Sequence, residues 1–208
     1  MTCKLSGVVS PCFAKIHREI KAGNVKELVA KGGRGSTKSS YISIELILQL
    51  LKHPQCHAAV FRKVGNTLRT SVYAQIVWAI NELGLHDHFR CTVSPMECTY
   101  LPTGQKVLFF GVDDPGKVKS IKVPFGYIGI CWFEELDQFD GEEQIRNVEQ
   151  SCLRGGDWFI TFKLQPACNG AELGERLRFA APQGKASTSF HLQNNASRMA
   201  RRAVSGRC

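Results

Sequence analysis

The segment from Lys26 to His53, KELVAKGGRGSTKSSYISIELILQLLKH, constrains this chain more than any other. A short apolar strand, Glu27 to Lys31, stops at Gly32, Gly33 and Gly35. Beyond it Ile42, Leu46, Ile47, Leu50 and Leu51 recur at helical spacing. A strand, a glycine-rich turn and a helix in that order can wrap a phosphate. The backbone N–H groups of the turn point inward, and the helix N-terminus adds positive potential. In such a loop a lysine reaches the β/γ-phosphates and the next hydroxyl holds Mg²⁺. Lys38 and Ser39 stand in those two positions. The strict pattern G-x-x-x-x-G-K-[ST] is broken once, because Thr37 replaces the second glycine. A side chain there narrows the loop unless its backbone takes an ordinary φ. On the loop alone, a nucleotide site and a glycine-rich turn with a solvated lysine remain equally open.

The second half of a nucleotide site is an acid at the end of a neighbouring buried strand, which holds the metal. A second acid beside it polarises the attacking water. YIGICWFEE, Tyr127 to Glu135, runs through apolar residues straight into Glu134 and Glu135. Two solvated acids at a strand end are common. Both halves in order, each at a strand end, are not, and together they favour nucleotide binding.

The segments between follow one rhythm. HAAVFRK (His57 to Lys63), QKVLFFG (Gln105 to Gly111) and DWFITFK (Asp157 to Lys163) read as strands. TLRTSVYAQIVWAINELG reads as a helix stopped by Gly84, and GEEQIRNVEQSCLRGG as a helix with Glu142 and Glu143 near its positive N-terminal end. Strands apolar throughout, alternating with helices, predict an α/β fold with a mainly parallel sheet covered on both faces.

Composition adds exclusions. At 43 % apolar and 22 % charged, the chain is globular. No apolar run approaches bilayer length and no signal peptide is legible at the N-terminus, so the expectation is a cytoplasmic protein without a membrane partner. Nine cysteines without a Cys-x-x-Cys pair read as reduced structural thiols rather than a zinc site. His86 to His88, HDH, reads as a polar turn. The net charge of +9 is uneven: +5 falls after Lys163 and +4 before it. Charge is therefore weak support for DNA binding. Arg62, Lys63 and Arg69 in FRKVGNTLR suit DNA or nucleotide contact no better than a solvated basic edge.

The strings KGGRGSTKSS, VFRKVGNTLRTSVYAQIVWAI, LFFGVDDPGKVKSIK, GYIGICWFEELDQF and CLRGGDWFITFK together resemble the ATPase half of the large terminase subunit of tailed phages and prophages, of the PBSX type. The resemblance runs from about Val25 to Lys163. It implies a P-loop NTPase three-layer fold of the ASCE/RecA-like kind, incomplete at the C-terminus. It implies an ATP-driven motor that pushes double-stranded viral DNA into a procapsid. The partners it implies are a small terminase subunit and a portal protein, with the motor as a homo-oligomeric ring. ATP and Mg²⁺ are the implied cofactors. In this family a Thr-Lys-Ser loop is ordinary, so Thr37 ceases to count against nucleotide binding. By matching position Gly32, Gly33, Gly35, Ser36, Thr37, Lys38, Ser39 and Ser40 hold the nucleotide. Ser39 and Glu134 hold Mg²⁺, and Glu135 is the catalytic base. Arg34 is a candidate for the arginine that neutralises transition-state charge, with plain solvent exposure as the alternative.

These strings divide the chain into an N-terminal segment, 1–24, an ATPase domain, 25–163, and an irregular tail, 164–208. The family continues with a Tyr-Asn-Pro-Pro coupling segment and an RNase H-like nuclease, and neither is legible in the tail. Synonymous codons for LQPACNGAELGE, read one nucleotide later, spell YNPPATAQSWAN. In the same offset Met199 followed by Ala200 forces a tryptophan. A frameshift near Lys163 and Leu164 therefore accounts for the tail's lost periodicity and its excess of arginine. A prophage remnant without motor activity, and a helicase-like or RecA-like ATPase, are the competing readings.

Overall fold

The structure, a computed structural model, describes residues 5–33, 35–113, 118, 121–166, 175–180 and 188–192. Arg34 and the Asp-Pro-Gly-Lys stretch of the GVDDPGKVKSIK string lie outside them.

Two short helices open the chain, α1 (Leu5–Val8) and α2 (Ala14–Lys21). Strand β1 (Glu27–Gly32) follows and leads through the glycine turn into α3 (Lys38–Lys52). Next come β2 (Cys56–Arg62) and α4 (Ala74–Glu82), then a hairpin of β3 (Phe89–Val93) and β4 (Met96–Tyr100). The chain continues through β5 (Gln105–Gly111), β6 (Tyr127–Phe133), α5 (Glu142–Cys152) and β7 (Ile160–Pro166). Two last strands are β8 (Glu175–Ala180) and β9 (Thr188–Leu192). All nine strands form one sheet in the order β3-β4-β5-β2-β6-β7-β1-β8-β9. The run β5-β2-β6-β7-β1 is parallel, and the strands outside it join antiparallel. One strand, β7, separates the strand that feeds the glycine turn from the strand that carries the paired acids.

Period-two alternation explains the layers. In β2, Ala58 and Val60 join one buried cluster, while Ala59 and Phe61 join another. The first cluster takes Ile42, Leu46 and Leu50 from α3 and Ile76 and Ile80 from α4. The second takes Ile145, Val148 and Cys152 from α5. A central strand with helices over both faces has no solvated side, and every residue of β2 is buried. The mainly parallel, doubly covered sheet read from the sequence is the observed fold. One glycine is needed to start β6: Gly126 has φ +56°, and a Cβ there would stand 2.0 Å from the Gln55 carbonyl oxygen.

Three local features differ from the sequence reading. The stretch from Thr67 to Gly84 is not one helix. It begins as a 3₁₀ turn (Gly65–Thr67), passes through a π-helical turn (Arg69–Tyr73), and only then becomes α4. Its hydroxyls compete for the helical carbonyls. Thr67 Oγ1 donates to Val64 O at 2.9 Å and Ser71 Oγ to Thr67 O at 2.6 Å. The last strand of the ATPase segment begins at Ile160 and runs to Pro166, three residues past the expected boundary. Beyond that boundary β8 lies antiparallel to β1, so part of the segment read as irregular is strand. The pairing covers what would otherwise be an open edge of the sheet at β1.

The N-terminal helices, absent from the sequence reading, dock on α3. Phe13 stacks flat on Tyr41, with ring centroids 4.3 Å apart. Glu45, fully buried, accepts from Gln49 Nε2 at 2.8 Å and from the Tyr41 hydroxyl at 3.2 Å, and His17 Nδ1 lies 2.7 Å from it. The Glu45 contact raises the His17 pKa against the opposing pull of burial and Lys21. A histidine whose folded pKa is raised stabilises the fold fully below its unfolded value of about 6.5, and that contribution fades as pH rises through the folded value. The melting temperature of the wild type is therefore expected to fall between pH 6 and 8 relative to His17→Gln. Parallel curves would contradict this linkage.

Candidate nucleotide site

Parallel strands end at the same edge of a sheet, and here that edge gathers the chemistry. Gly32 ends β1, Arg62 ends β2, and Glu134 and Glu135 follow β6 directly. The Glu134 N–H donates to Phe61 O at 3.0 Å, so the ladder of β2 and β6 extends to the first acid.

The glycine turn closes on its own lysine. Lys38 is buried, and its Nζ donates to Gly32 O at 2.7 Å, Gly33 O at 3.1 Å and Ser36 Oγ at 2.5 Å. Gly35 has φ +80°. Thr37 has φ +58°, so a β-branched residue sits in the left-handed region that a glycine occupies without strain. The sequence reading asked for an ordinary φ at Thr37, and the backbone does not take one. Thr37 is the N-cap of α3, and its carbonyl accepts the Tyr41 N–H at 2.9 Å, the first bond of the helix. A left-handed L-residue costs about 1–2 kcal/mol. Allowing for the chain entropy of glycine, Thr37→Gly is expected to raise the free energy of unfolding by about 0.5–1 kcal/mol. A denaturant melt with an unchanged or lower midpoint would contradict that.

Ser39, next to Lys38, faces the acids. Its Oγ donates to Glu134 Oε1 at 2.8 Å, and Trp132 Nε1 donates to Glu134 Oε2 at 2.9 Å. Burial raises the Glu134 pKa, while these two donors and the Arg62 charge pull it back. Ser40, behind them, accepts the Ser43 hydroxyl at its carbonyl, 2.9 Å away. Glu135 is placed differently. Its side chain is 37 % exposed, it pairs with the Arg62 guanidinium, and Gln138 Nε2 donates to its Oε2 at 2.6 Å. Glu135 also has positive φ, +57°. Among the described residues it and Thr37 are the non-glycine positions that do. Both border the same site, and backbone strain of this kind persists where surrounding structure over-determines it.

The structure thus brings together Gly32, Gly33, Ser36, Lys38, Ser39, Glu134 and Glu135. Arg34 cannot be placed, being outside the described residues. The sequence reading weighed Arg62 as a DNA or nucleotide contact or as a solvated edge. The structure rules out the solvated edge: the side chain is buried against Glu135, with its Nε lacking a hydrogen-bond partner. Lys63 pairs instead with Asp140. Arg62 closes an apolar strand, and that placement at a strand end was the available signal. A cavity of about 300 Å³ opens beside Ser39 and Glu134, walled by Trp132 and by Thr70, Ser71 and Gln75 of the π-turn and α4. Ser71 and Gln75 are four residues apart and share a face of any helix, but nothing in the sequence aims that face at Ser39 and Glu134. His86 to His88 form a 3₁₀ turn with His86 beside Asp87, a polar turn as read.

The Ser39 hydroxyl and the Glu134 carboxylate, which meet at 2.8 Å, are oxygen ligands of the kind a hard cation such as Mg²⁺ takes. A buried carboxylate whose proton affinity is raised by burial also favours a cation beside it.

A sequence model of the family described as "Phage terminase large subunit" matches residues 24–168. The chain is 36 % identical over 165 residues to the "Terminase, large subunit" of Bacillus phage SPP1, covering 79 % of this chain and 37 % of that protein. It is 35 % identical over 107 residues to the "PBSX phage terminase large subunit" of Bacillus subtilis (strain 168), covering 51 % of this chain and 23 % of that protein. It therefore spans well under half the length of these curated relatives. The fold is that of the HK97 bacteriophage large terminase, with a TM-score of 0.56 at 17 % identity over 79 % of this chain and 35 % of that one. With a family model matched across most of its length and relatives at this identity, the chain belongs to the phage terminase large subunit family.

Proposed function

We propose that this chain is the ATP-hydrolysing motor domain of a large terminase, which drives double-stranded viral DNA into a procapsid. One observation carries the reading: the Ser39 hydroxyl of the loop helix and the Glu134 carboxylate of the neighbouring strand meet at 2.8 Å. A glycine-rich turn alone gives no reason for that contact. The large terminase of a thermophilic bacteriophage, whose fold this chain shares, has been solved with ADP and with ATP-gamma-S. The fold is also that of the N-terminal domain of the DNA packaging ATPase of bacteriophage phi29, with a TM-score of 0.54 at 15 % identity over 80 % of this chain and 83 % of that one.

In this reading Gly32, Gly33, Gly35, Ser36, Thr37 and Ser40 form the phosphate cradle, and the Lys38 ammonium turns from its loop acceptors to the β/γ-phosphates. Ser39 and Glu134 would hold Mg²⁺, which when bound neutralises charge on the phosphates. Glu135 orients the attacking water and takes its proton, and Arg34 stabilises charge on the transferred group. Arg62 holds Glu135 in place. The partners proposed are viral DNA, a small terminase subunit, a portal protein and further copies of the chain in a ring, in the cytoplasm of a bacterial host. The test is ATP turnover by the purified chain, with and without Mg²⁺ and double-stranded DNA. Turnover that needs Mg²⁺ and rises with DNA supports the reading. Turnover absent from a folded chain that still binds ATP would mark it as a remnant without motor activity.

The shifted reading frame after Lys163 is a proposal of the same standing. The family match ends at residue 168, close to where the texture of the sequence changes, which supports it. The gene's nucleotide sequence decides. A shifted frame that reads through Tyr-Asn-Pro-Pro into a long open frame supports it, and early closure refutes it.

A further inference from the structure

The β3–β4 hairpin carries a second chemical feature, unrelated to the nucleotide site. Cys91 of β3 and Cys98 of β4 are direct cross-strand partners in the antiparallel register. Directly opposed residues have Cα atoms about 4.5–5.5 Å apart and side chains on one face. That separation lies inside the range a disulfide spans, about 4.4–6.8 Å. Cys98 is fully buried, and Cys91 packs against the same cluster while remaining partly exposed. One thiol is thus reachable from solvent, and the other waits directly behind it.

We propose that Cys91 and Cys98 form a redox-modifiable dithiol, which a small disulfide such as oxidised glutathione closes into a cross-strand disulfide. The Cys91 thiolate attacks one sulfur of oxidised glutathione and releases one glutathione thiolate. Cys98 then loses its proton and attacks the Cys91 sulfur of the mixed disulfide, releasing the second. The two protein thiols are oxidised, one molecule of oxidised glutathione is reduced to two thiols, and two protons pass to solvent or to the departing thiolates. The order of events follows from the site. The hydrogen bond from Cys98 lowers the Cys91 pKa, and the same bond with burial raises that of Cys98. The exposed thiol is therefore the better first nucleophile and the buried one the resolving thiol. The second thiol pair, Cys131 of β6 and Cys152 of α5, is buried on both sides and offers no such entry.

The hairpin geometry also makes the test simple. Trypsin cuts after Arg90 and Lys106, so both cysteines fall in the single peptide 91–106. The intact chain is treated with oxidised glutathione, blocked with iodoacetamide, digested without reduction and weighed. The expected peptide is two hydrogens lighter, carries no alkyl group, and regains both alkylation sites after dithiothreitol. In Cys98→Ser the same treatment is expected to stop at a Cys91–glutathione mixed disulfide. A wild type that also stops at the mixed disulfide would overturn the proposal. So would a wild type in which both positions are alkylated although exposed Cys12 has been oxidised. Cys91→Ser, which leaves the buried thiol alone, is expected to take up no glutathione at Cys98.

Discussion

Glu135→Gln is expected to lower ATP turnover by about 10²–10⁴-fold while leaving nucleotide binding intact, the span that loss of a positioned general base produces. The substitution keeps the shape of the side chain and an oxygen that can still accept from Gln138, and removes the capacity to take a proton. It also removes the charge opposite Arg62, a buried guanidinium whose Nε already lacks a partner. A loss of stability of about 1–3 kcal/mol is therefore expected alongside the loss of rate. The two effects separate experimentally. Turnover is read at saturating ATP well below the melting temperature, and stability is read by denaturant. If turnover survives, Glu135 is a surface acid and not the base.

Lys38→Ala is expected to act on binding instead. A lysine that meets two phosphates supplies two charge-assisted hydrogen bonds of about 1.5–3 kcal/mol each, so affinity should fall by ~100-fold or more. In the free protein the same ammonium satisfies the carbonyls of Gly32 and Gly33, and Gly32 is buried. Removing it leaves those acceptors unpaired, so the turn should loosen even without ligand. ADP is expected to raise the melting temperature of the wild type and not that of the variant. Equal shifts in both would mean that nucleotide binds elsewhere.

The sequence carried the frame of this site because two periodicities coincide with its two halves. Apolar runs too continuous for a one-sided sheet predicted strands buried on both faces, and β2 and β6 are buried almost throughout. The glycine turn and the paired acids were each placed correctly at a strand end. What the sequence did not carry were features set by competition between local and tertiary bonds. The π-turn at Arg69–Tyr73 follows from hydroxyls that bond to nearby carbonyls, which residue periodicity does not report. The wall of Thr70, Ser71 and Gln75 beside Ser39 and Glu134 was equally hidden, because it depends on how this segment packs on α3. The pairing of Arg62 with Glu135 depends on β2 lying next to β6, a neighbourhood fixed by strand order rather than by either string. The positive φ of Thr37 was not legible either, and it marks where this loop is strained.

In the proposed reading the Lys38–Ser39–Glu134 constellation is a nucleotide site. The most direct test is calorimetric titration of the purified wild-type chain with ATP-gamma-S in the presence of Mg²⁺. Saturable binding of one nucleotide per chain, weakened when Mg²⁺ is removed, is the predicted result. A folded chain that gives no binding heat, and no melting shift with the same ligand, would contradict it.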